Sequence, residues 1–338
     1  MKARRMSRFS QIAIIASREA WEMSGLELND DISKRTGVIA GAGLGSVEST
    51  DLFYEGLVRR GPHETNPMIF PETVQNIAAA HISIELGIKG PNTTFSQGDI
   101  AGESAVFYAT GLLRKKTADA VIVCGVDELT APLLLGLSSL KLLSVTDTLA
   151  PFDNKRDGII PAEGAASVVI ERAEDAGNRG ANILGYINAF GTGSDSVGRF
   201  SYASPESMSL TIDSALNKAG ISPDFISASA NSTVELDRNE AIAIKSSLGR
   251  TVPVTAVKSQ IGSFMASGVM KLTASLISIR EGVIPPIFGL DDPEIPGLNY
   301  IMNQPVSADI DSCLINGFSH GGSKVCMIVT GSGREEKG

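Results

Sequence analysis

Hydrophobic positions follow two patterns along the chain, one typical of helices and one of strands. Apolar residues at helical spacing predict helices at residues 9–24, 74–86, 102–114, 207–219, 235–248 and 265–280. Apolar runs rich in β-branched residues predict strands at residues 36–41, 93–96, 120–125, 165–171, 182–190, 225–230, 253–257, 312–316 and 324–330. Strands that alternate with helices in this way predict an α/β protein built on parallel sheet.

The second half of the chain repeats the order of the first. A strand, a turn of small residues and an apolar helix follow one another at residues 93–114 and again at residues 253–280. A supersecondary unit that occurs twice predicts two similar α/β halves. The polar, small-residue stretch at residues 175–181 is the expected division between them.

Charge and composition exclude several functional classes. The formal net charge of -9 is opposite to the basic surface that nucleic-acid-binding proteins and proteins on anionic membranes need. The first eight residues are basic, but Glu19 and Glu22 soon interrupt the apolar residues that follow, so neither a signal peptide nor a membrane span is expected. The chain is therefore predicted to be a cytoplasmic protein.

Three cysteines are present, and none has the spacing of a metal ligand set. Cys124, Cys313 and Cys326 each lie in an apolar run. Such positions predict thiols buried in strands, as expected in a reducing compartment. We predict no metal site.

Four stretches together resemble the β-ketoacyl synthase (ketosynthase) family. They are residues 3–26, the long stretch PFDNKRDGIIPAEGAASVVIE at 151–171, REGVIPPI at 280–287 and NGFSHGGSK at 316–324. The resemblance implies a thiolase-like, duplicated α/β fold in five layers (αβαβα), with halves at residues 1–176 and 177–338. The family begins with a strand and a helix ahead of the first stretch, and these are expected to be missing here.

The resemblance also identifies the position of the catalytic cysteine. The family has a GPxxxxxTAC stretch, and the matching residues 90–99 read GPNTTFSQGD, so Asp99 stands where the cysteine is expected. A ketosynthase needs a thiolate at a helix N-terminus to form the acyl thioester. A carboxylate cannot form that thioester, and Asp99 is instead expected to be ionised and to cap the helix.

Both catalytic histidines of the family are also replaced. The family sequence AHGT corresponds to residues 230–233, which read ANST, and this places Asn231 at the first histidine. The family sequence KSxxGH corresponds to KSQIGS, which places Ser263 at the second histidine. Asparagine and serine can donate hydrogen bonds but cannot relay a proton as imidazole does.

Other charged positions of the family site are retained or changed. Lys258 matches the family's site lysine, and Asp237 and Glu240 match acids in the helix after AHGT. Their retention is read as structural, because buried charges must stay paired. His320 replaces a phenylalanine of the family's GFGG loop, so it is expected to lie near Asp99 in one pocket with Asn231 and Ser263. The remaining histidines, His63 and His81, are interpreted as ordinary loop and helix residues.

Three functions remain open on this evidence. The leading hypothesis is a chain-length-factor-like pseudoenzyme, inactive alone, that pairs with an active ketosynthase in polyketide or fatty-acid-type biosynthesis. In that role Phe95, Phe107 and Met68 are expected to line the shared acyl tunnel. The alternatives are a stand-alone thioesterase, decarboxylase or acyltransferase that uses Asp99 with His320, and a non-catalytic acyl-binding homodimer.

The resemblance names partners and excludes a resident cofactor. Acyl groups would arrive on the phosphopantetheine of acyl carrier protein, and no other cofactor is implied. Family dimers join through the strand at residues 93–96, which is predicted to be an edge strand that a second subunit must cover. The second subunit is expected to be either an active ketosynthase or a second copy of this chain.

Overall fold

The computed structural model describes residues 6–146 and 148–333. Its helices are α1 (Arg8–Ser24), α2 (Asp30–Arg35), α3 (Val47–Arg60), α4 (Ile77–Leu86), α5 (Ala101–Arg114), α6 (Ala131–Ser139), α7 (Ala173–Asn178), α8 (Pro205–Ala219), α9 (Val234–Leu248), α10 (Lys258–Ile261) and α11 (Gly268–Glu281). Its strands are β1 (Thr36–Ala42), β2 (Asn92–Phe95), β3 (Ala120–Asp127), β4 (Gly164–Glu171), β5 (Gly185–Ser194), β6 (Phe225–Ser227), β7 (Pro253–Thr255), β8 (Val283–Ile284), β9 (Asn299–Tyr300), β10 (Val306–Ser307), β11 (Ser312–Phe318) and β12 (Ser323–Gly331). The alternation of strands and helices confirms the predicted α/β class. Within the described residues, no helix is both long and apolar enough to cross a membrane.

The chain forms two compact units whose segments interleave in the sequence. The first unit contains the described residues up to Leu140 together with Ala162–Asn182 and Phe264–Met270. The second contains residues 141–161, Ile183–Ser263 and the residues from Lys271 onward. Helix α11 therefore begins in the first unit and continues in the second.

The first unit is built on a four-stranded sheet in the order β2-β1-β3-β4. Strands β1, β2 and β3 are parallel, and β4 pairs antiparallel with β3. Alternate residues of β1 and β3, such as Val38 and Ile122, pack in one cluster with Phe9 of α1 and Ile82 of α4. The intervening residues face α5, where a Cβ on Gly41 would lie 2.4 Å from the carbonyl oxygen of Ala101. The sheet is thus covered by helices on both faces.

The second unit is built on a six-stranded sheet in the order β5-β12-β11-β6-β7-β9. Strands β11, β6, β7 and β9 run parallel, whereas β12 is antiparallel to both of its neighbours. The order β7-β6-β11-β12 matches β2-β1-β3-β4 of the first unit, direction for direction. This agreement is the duplication that the repeated sequence pattern predicted.

The structure corrects several element predictions. Both sheets are mixed rather than parallel, because β4 and β12 reverse direction. The helix predicted from residue 265 begins at Gly268, since residues 265–267 form a turn. Helix α3 was missed: its large apolar residues Leu52, Tyr54 and Val58 are exposed, so its sequence does not have the buried stripe of a core helix.

The predicted burial of the three cysteines is confirmed. Cys124 lies in β3, Cys313 in β11 and Cys326 in β12, and all three are free and buried. Burial raises the pKa of the Cys313 thiol to about 12 and also raises that of Cys124. Neither thiol is a nucleophile at neutral pH.

Candidate functional site

Asp99 lies where a parallel strand gives way to a helix. Strand β2 ends at Phe95, and a short 3-10 turn at Gly98–Ile100 leads directly into α5. Gly98 has a φ of 56°, a left-handed conformation that favours glycine before the turn. Asp99 is only 7% exposed. The N-cap position of α5 itself is Ile100, whose side chain makes no cap bond, and Asp99 lies one residue before it, so the capping role of Asp99 stays a prediction.

A second buried carboxylate, Asp127, lies at the end of β3 in the same unit. One of its oxygens accepts a hydrogen bond from the Gly43 amide at 2.8 Å, and the other accepts one from the Ala266 amide at 2.6 Å. Burial raises the pKa of Asp127 to about 6, although these bonds lower it, and the charge of Asp99 raises it further. Asp127 thus holds two loops against the end of the sheet. Sequence reasoning missed it, although an acid directly after the apolar run of β3 was a signal.

Asn231 belongs to a turn between β6 and α9 in the second unit. Its Oδ1 accepts hydrogen bonds from the Thr233 amide at 3.1 Å and from the Thr233 hydroxyl at 2.7 Å. This is the arrangement of an Asx turn, in which the side chain takes the place of a backbone acceptor. The side-chain oxygen of Asn231 therefore orders the backbone at the start of α9.

Asp237 holds the same turn from inside α9. It is fully buried and accepts hydrogen bonds from the backbone amides of Phe152, Asn231 and Ser232, at 2.9, 2.9 and 3.1 Å. Arg156 lies 3.7 Å away. Burial raises the pKa of Asp237 to about 6, while these amides and the charge of Arg156 lower it. The structural interpretation of this acid is supported by the three amides that it binds.

Lys258 and Ser263 flank the short helix α10. Lys258 is fully buried, and its Nζ donates to the carbonyl oxygen of Ser229 at 3.2 Å. Ser263 is 8% exposed, and its amide donates to the carbonyl oxygen of Ile160 at 2.9 Å. The structure thus places the retained lysine in the interior of the second unit and Ser263 at the end of a one-turn helix.

His320 lies in the tight turn between β11 and β12. Gly321 and Gly322 follow it with φ of 79° and 87°, a left-handed conformation that favours glycine. The Gly321 amide donates to the carbonyl oxygen of Ser201 at 2.8 Å. The His320 ring meets Tyr202 edge-on, with 6.4 Å between ring centroids. His320 is therefore held by the loop before α8, and its proximity to Asp99 remains a prediction.

The other histidines differ in their surroundings. His63 lies in an exposed turn, as expected. His81 of α4 is more than an ordinary helix residue, because its Nε2 lies 2.7 Å from the buried carboxylate of Glu72. Glu72 also accepts hydrogen bonds from the amide and hydroxyl of Ser7 at the start of α1.

The predicted tunnel residues all lie in the first unit. Phe95, at the end of β2, packs against Tyr108 of α5 with ring centroids 5.2 Å apart. Phe107 is 45% exposed and Met68 is 61% exposed. Their contribution to a tunnel remains a prediction.

Comparisons with known proteins agree with this architecture. The family described as "Beta-ketoacyl synthase, N-terminal domain" matches residues 1–176, and "Beta-ketoacyl synthase, C-terminal domain" matches residues 184–291. A 3-oxoacyl-[acyl-carrier-protein] synthase 2 of Coxiella burnetii is 32% identical over 338 residues, which cover 95% of this chain and 81% of that protein. The Staphylococcus aureus enzyme of the same name is 32% identical, with 97% of this chain and 82% of that protein covered.

Solved structures extend the similarity to the whole fold. A β-ketoacyl synthase from Burkholderia phymatum superposes with a TM-score of 0.92 at 26% identity, covering 98% of this chain and 84% of that chain. The ishigamide ketosynthase/chain length factor superposes with a TM-score of 0.91 at 27% identity, covering 97% of this chain and 83% of that chain. With both halves matched and a relative 32% identical over nearly the whole sequence, this chain belongs to the β-ketoacyl synthase family.

Proposed function

We propose that this chain is a non-condensing ketosynthase homologue that acts as a chain-length-factor-like partner of an active ketosynthase. The observation that carries the proposal is the replacement of all three catalytic positions, by Asp99, Asn231 and Ser263. Condensation needs a thiolate that holds the acyl group and groups that assist the loss of carbon dioxide from malonyl. Loss of one of these residues slows turnover greatly, and loss of all three removes the chemistry.

The three cysteines of the chain do not supply the missing nucleophile. Cys124, Cys313 and Cys326 are buried within strands β3, β11 and β12. Cys124 and Cys313 also have raised pKa values, which suppress the thiolate form. Asp99 stands at the correct register but its carboxylate is a weak nucleophile that cannot form a thioester.

Neither residue that stands in place of a family histidine can do the work of an imidazole. Asn231 uses its side-chain oxygen to order the turn before α9, a structural contact within the chain. Ser263 presents a short hydroxyl that does not carry a positive charge near neutral pH. Both substitutions favour a protein selected for its shape and its association rather than for its own turnover.

The partner and the acyl carrier follow from the family. One structural neighbour is described as a ketosynthase/chain length factor, and another as a type II polyketide synthase acyl-carrier protein in complex with its ketosynthase. We therefore assign an active ketosynthase as the second subunit and acyl carrier protein as the source of acyl groups on phosphopantetheine. The stand-alone enzyme with Asp99 and His320 and the acyl-binding homodimer are distinguished by the next two experiments.

The purified chain is expected to accept no acyl group from acyl carrier protein, because no thiolate is available at residue 99. Asp99→Cys is expected to take up acyl groups yet to condense them roughly 10²- to 10⁴-fold more slowly than an intact ketosynthase, since both imidazoles are absent. Intact-mass spectrometry and product analysis measure the two steps. Asp30→Cys, in the exposed first turn of α2, controls for nonspecific acylation. A wild-type adduct that malonyl carrier protein turns over would contradict the proposal.

Association is expected to use the edge strand β2 of the first unit. Within the described residues, β2 pairs only with β1 and is an edge of its sheet. Large apolar side chains are exposed in the same unit, among them Leu52, Tyr54, Val58, Met68 and Phe70. An edge strand in a unit that also exposes large apolar side chains needs a cover, and obligate apolar interfaces are large.

Substituting alanine at Phe95, Phe107 or Met68 is expected to lengthen the products of the partner ketosynthase without changing its nucleophile, because smaller side chains leave more room for the acyl chain. Co-expression, native mass measurement and product analysis test this expectation. Leu210→Ala, an exposed apolar position of α8 in the second unit, is the matched control. A protein that stays homodimeric with every ketosynthase of its own genome would refute the partner hypothesis.

A further inference from the structure

Two fully buried polar side chains of the second unit are hydrogen-bonded to each other, and each also has an oxygen without a hydrogen-bond donor. Glu240 of α9 and Asn316 of β11 are both 0% exposed. Asn316 Nδ2 donates to Glu240 Oε1 at 2.9 Å. Among the residues that the structure describes, neither Glu240 Oε2 nor Asn316 Oδ1 has a hydrogen-bond partner. Each side chain therefore contributes one bonded atom and one buried oxygen that lacks a donor.

The hydrogen-bond pattern fixes which atom of the amide is which. Glu240 Oε1 accepts from Asn316 Nδ2 and also from the Ser229 amide at 2.8 Å. Rotating the amide by half a turn would bring its oxygen to this carboxylate oxygen, and two acceptors would then repel each other. Buried polar atoms are almost always hydrogen-bonded, so two unsatisfied acceptors on one contacting pair require an explanation.

We propose that Glu240 is a neutral carboxylic acid whose Oε2–H donates to Asn316 Oδ1, so that the two side chains form a cyclic acid–amide pair. One proton satisfies both buried oxygens at once. The pair then has two parallel hydrogen bonds, Nδ2–H to Oε1 and Oε2–H to Oδ1. An ionised carboxylate would leave two acceptors in the interior with no donor between them.

The electrostatic surroundings support a neutral acid. Burial is the largest effect on Glu240 and raises its pKa to about 7, and the nearby charge of Asp237 on α9 acts in the same direction. Lys271 on α11 opposes them, but its Nζ already donates to the backbone carbonyl oxygen of Asn316 at 2.5 Å. Lys258 on α10 donates to the carbonyl oxygen of Ser229. Both buried ammonium groups thus bind backbone carbonyls beside the pair.

The acid–amide pair joins the two strands from which the candidate site residues emerge. The amide of Ser229, just beyond β6, is held by Glu240, and its hydroxyl accepts from the Phe318 amide at the end of β11. Asn231 follows Ser229 by two residues, and His320 follows Phe318 by two residues. Glu240 is therefore a positioning residue for both turns, whether or not the chain acts as a partner subunit.

Glu240→Gln tests the proposal directly, because glutamine has the shape and the hydrogen-bonding groups of the protonated acid. Its carbonyl oxygen accepts from Asn316 and Ser229, and its Nε2–H donates to Asn316 Oδ1. At pH 8 we expect the unfolding equilibrium constant of Glu240→Gln to be about tenfold or more below that of the wild type, with the difference shrinking toward pH 5. Glu235→Gln, an exposed position on the same helix, should follow the wild-type pH profile.

An infrared pH titration of the wild type and of Glu240→Gln gives a second test that does not depend on the stability measurement. Asp127 and Asp237, with pKa values of about 6, also contribute to the carbonyl stretch of buried carboxylic acids. The component from Glu240 should be the one that declines at the highest pH, near neutrality, and it should be missing from Glu240→Gln. A Glu240→Gln protein that is less stable than the wild type at pH 8, together with acid bands that are identical in the two proteins, would overturn the proposal. That result would mean an ionised Glu240 whose oxygens are bridged by water or a cation.

Discussion

The protein is expected to be most stable in mildly acidic solution and to lose stability as the pH rises from about 4 to 7. Three buried carboxyl groups cause this: the pKa values of Asp127 and Asp237 are raised to about 6 and that of Glu240 to about 7. A carboxyl group with a raised pKa binds its proton more tightly in the folded chain. Stability is therefore lost while the unfolded chain ionises and the folded chain does not.

The expected size of this effect is several kcal/mol, because one pKa unit corresponds to about 1.4 kcal/mol and each group moves by roughly two units. Below about pH 4 the trend reverses, since Glu72 and Asp119 have lowered pKa values and lose their ionic contacts on protonation.

Urea unfolding midpoints between pH 3.5 and 8.5 measure this dependence of stability on pH. Asp127→Asn should flatten it in part, whereas Asp213→Asn, at a partly exposed position on α8, should not. A midpoint that rises steadily to pH 8 would contradict the expectation.

Asp237→Ala is expected to destabilise the fold by about 4 kcal/mol or more. The substitution leaves the buried amides of Phe152, Asn231 and Ser232 without their acceptor, and each such amide costs about 1–3 kcal/mol. It also removes one of the two carboxylates that pair with Arg156. The other ion pair, between Arg156 and Glu294 at 2.5 Å, remains. Ser232, whose φ is 73°, loses the bond that holds its strained backbone.

Chemical denaturation at pH 7.5 measures this loss. Asp213→Ala, on the neighbouring helix α8, provides the matched control, and a shift of less than about 0.5 kcal/mol is expected there. Asp237→Asn keeps one acceptor oxygen and should lie between the wild type and Asp237→Ala. Equal stabilities for Asp237→Ala and the control would show that the turn around Asn231 does not depend on this carboxylate.

The sequence alone determined the class of fold, the duplication and the family. Strands such as β3 are buried over their whole length, so their apolar runs are visible without any tertiary information. The cysteines in β3, β11 and β12 were placed correctly for the same reason. The prediction that Asp99, Asn231 and Ser263 stand at the family's catalytic positions also needed no structure, because they occur within motifs whose register is fixed by their neighbours.

Only the tertiary structure revealed what these positions contact. Asp127 binds the amide of Ala266, 139 residues away, and Glu240 binds Asn316, 76 residues away. No local pattern marks such partners, because periodicity reports which face of an element is buried and not which distant segment meets it. The 3-10 turn at Gly98–Ile100, which places Ile100 rather than Asp99 at the N-cap position of α5, was likewise visible only in the structure. The proton assigned to Glu240 follows from the same cause, because burial and the pairing of polar atoms exist only once the chain has folded.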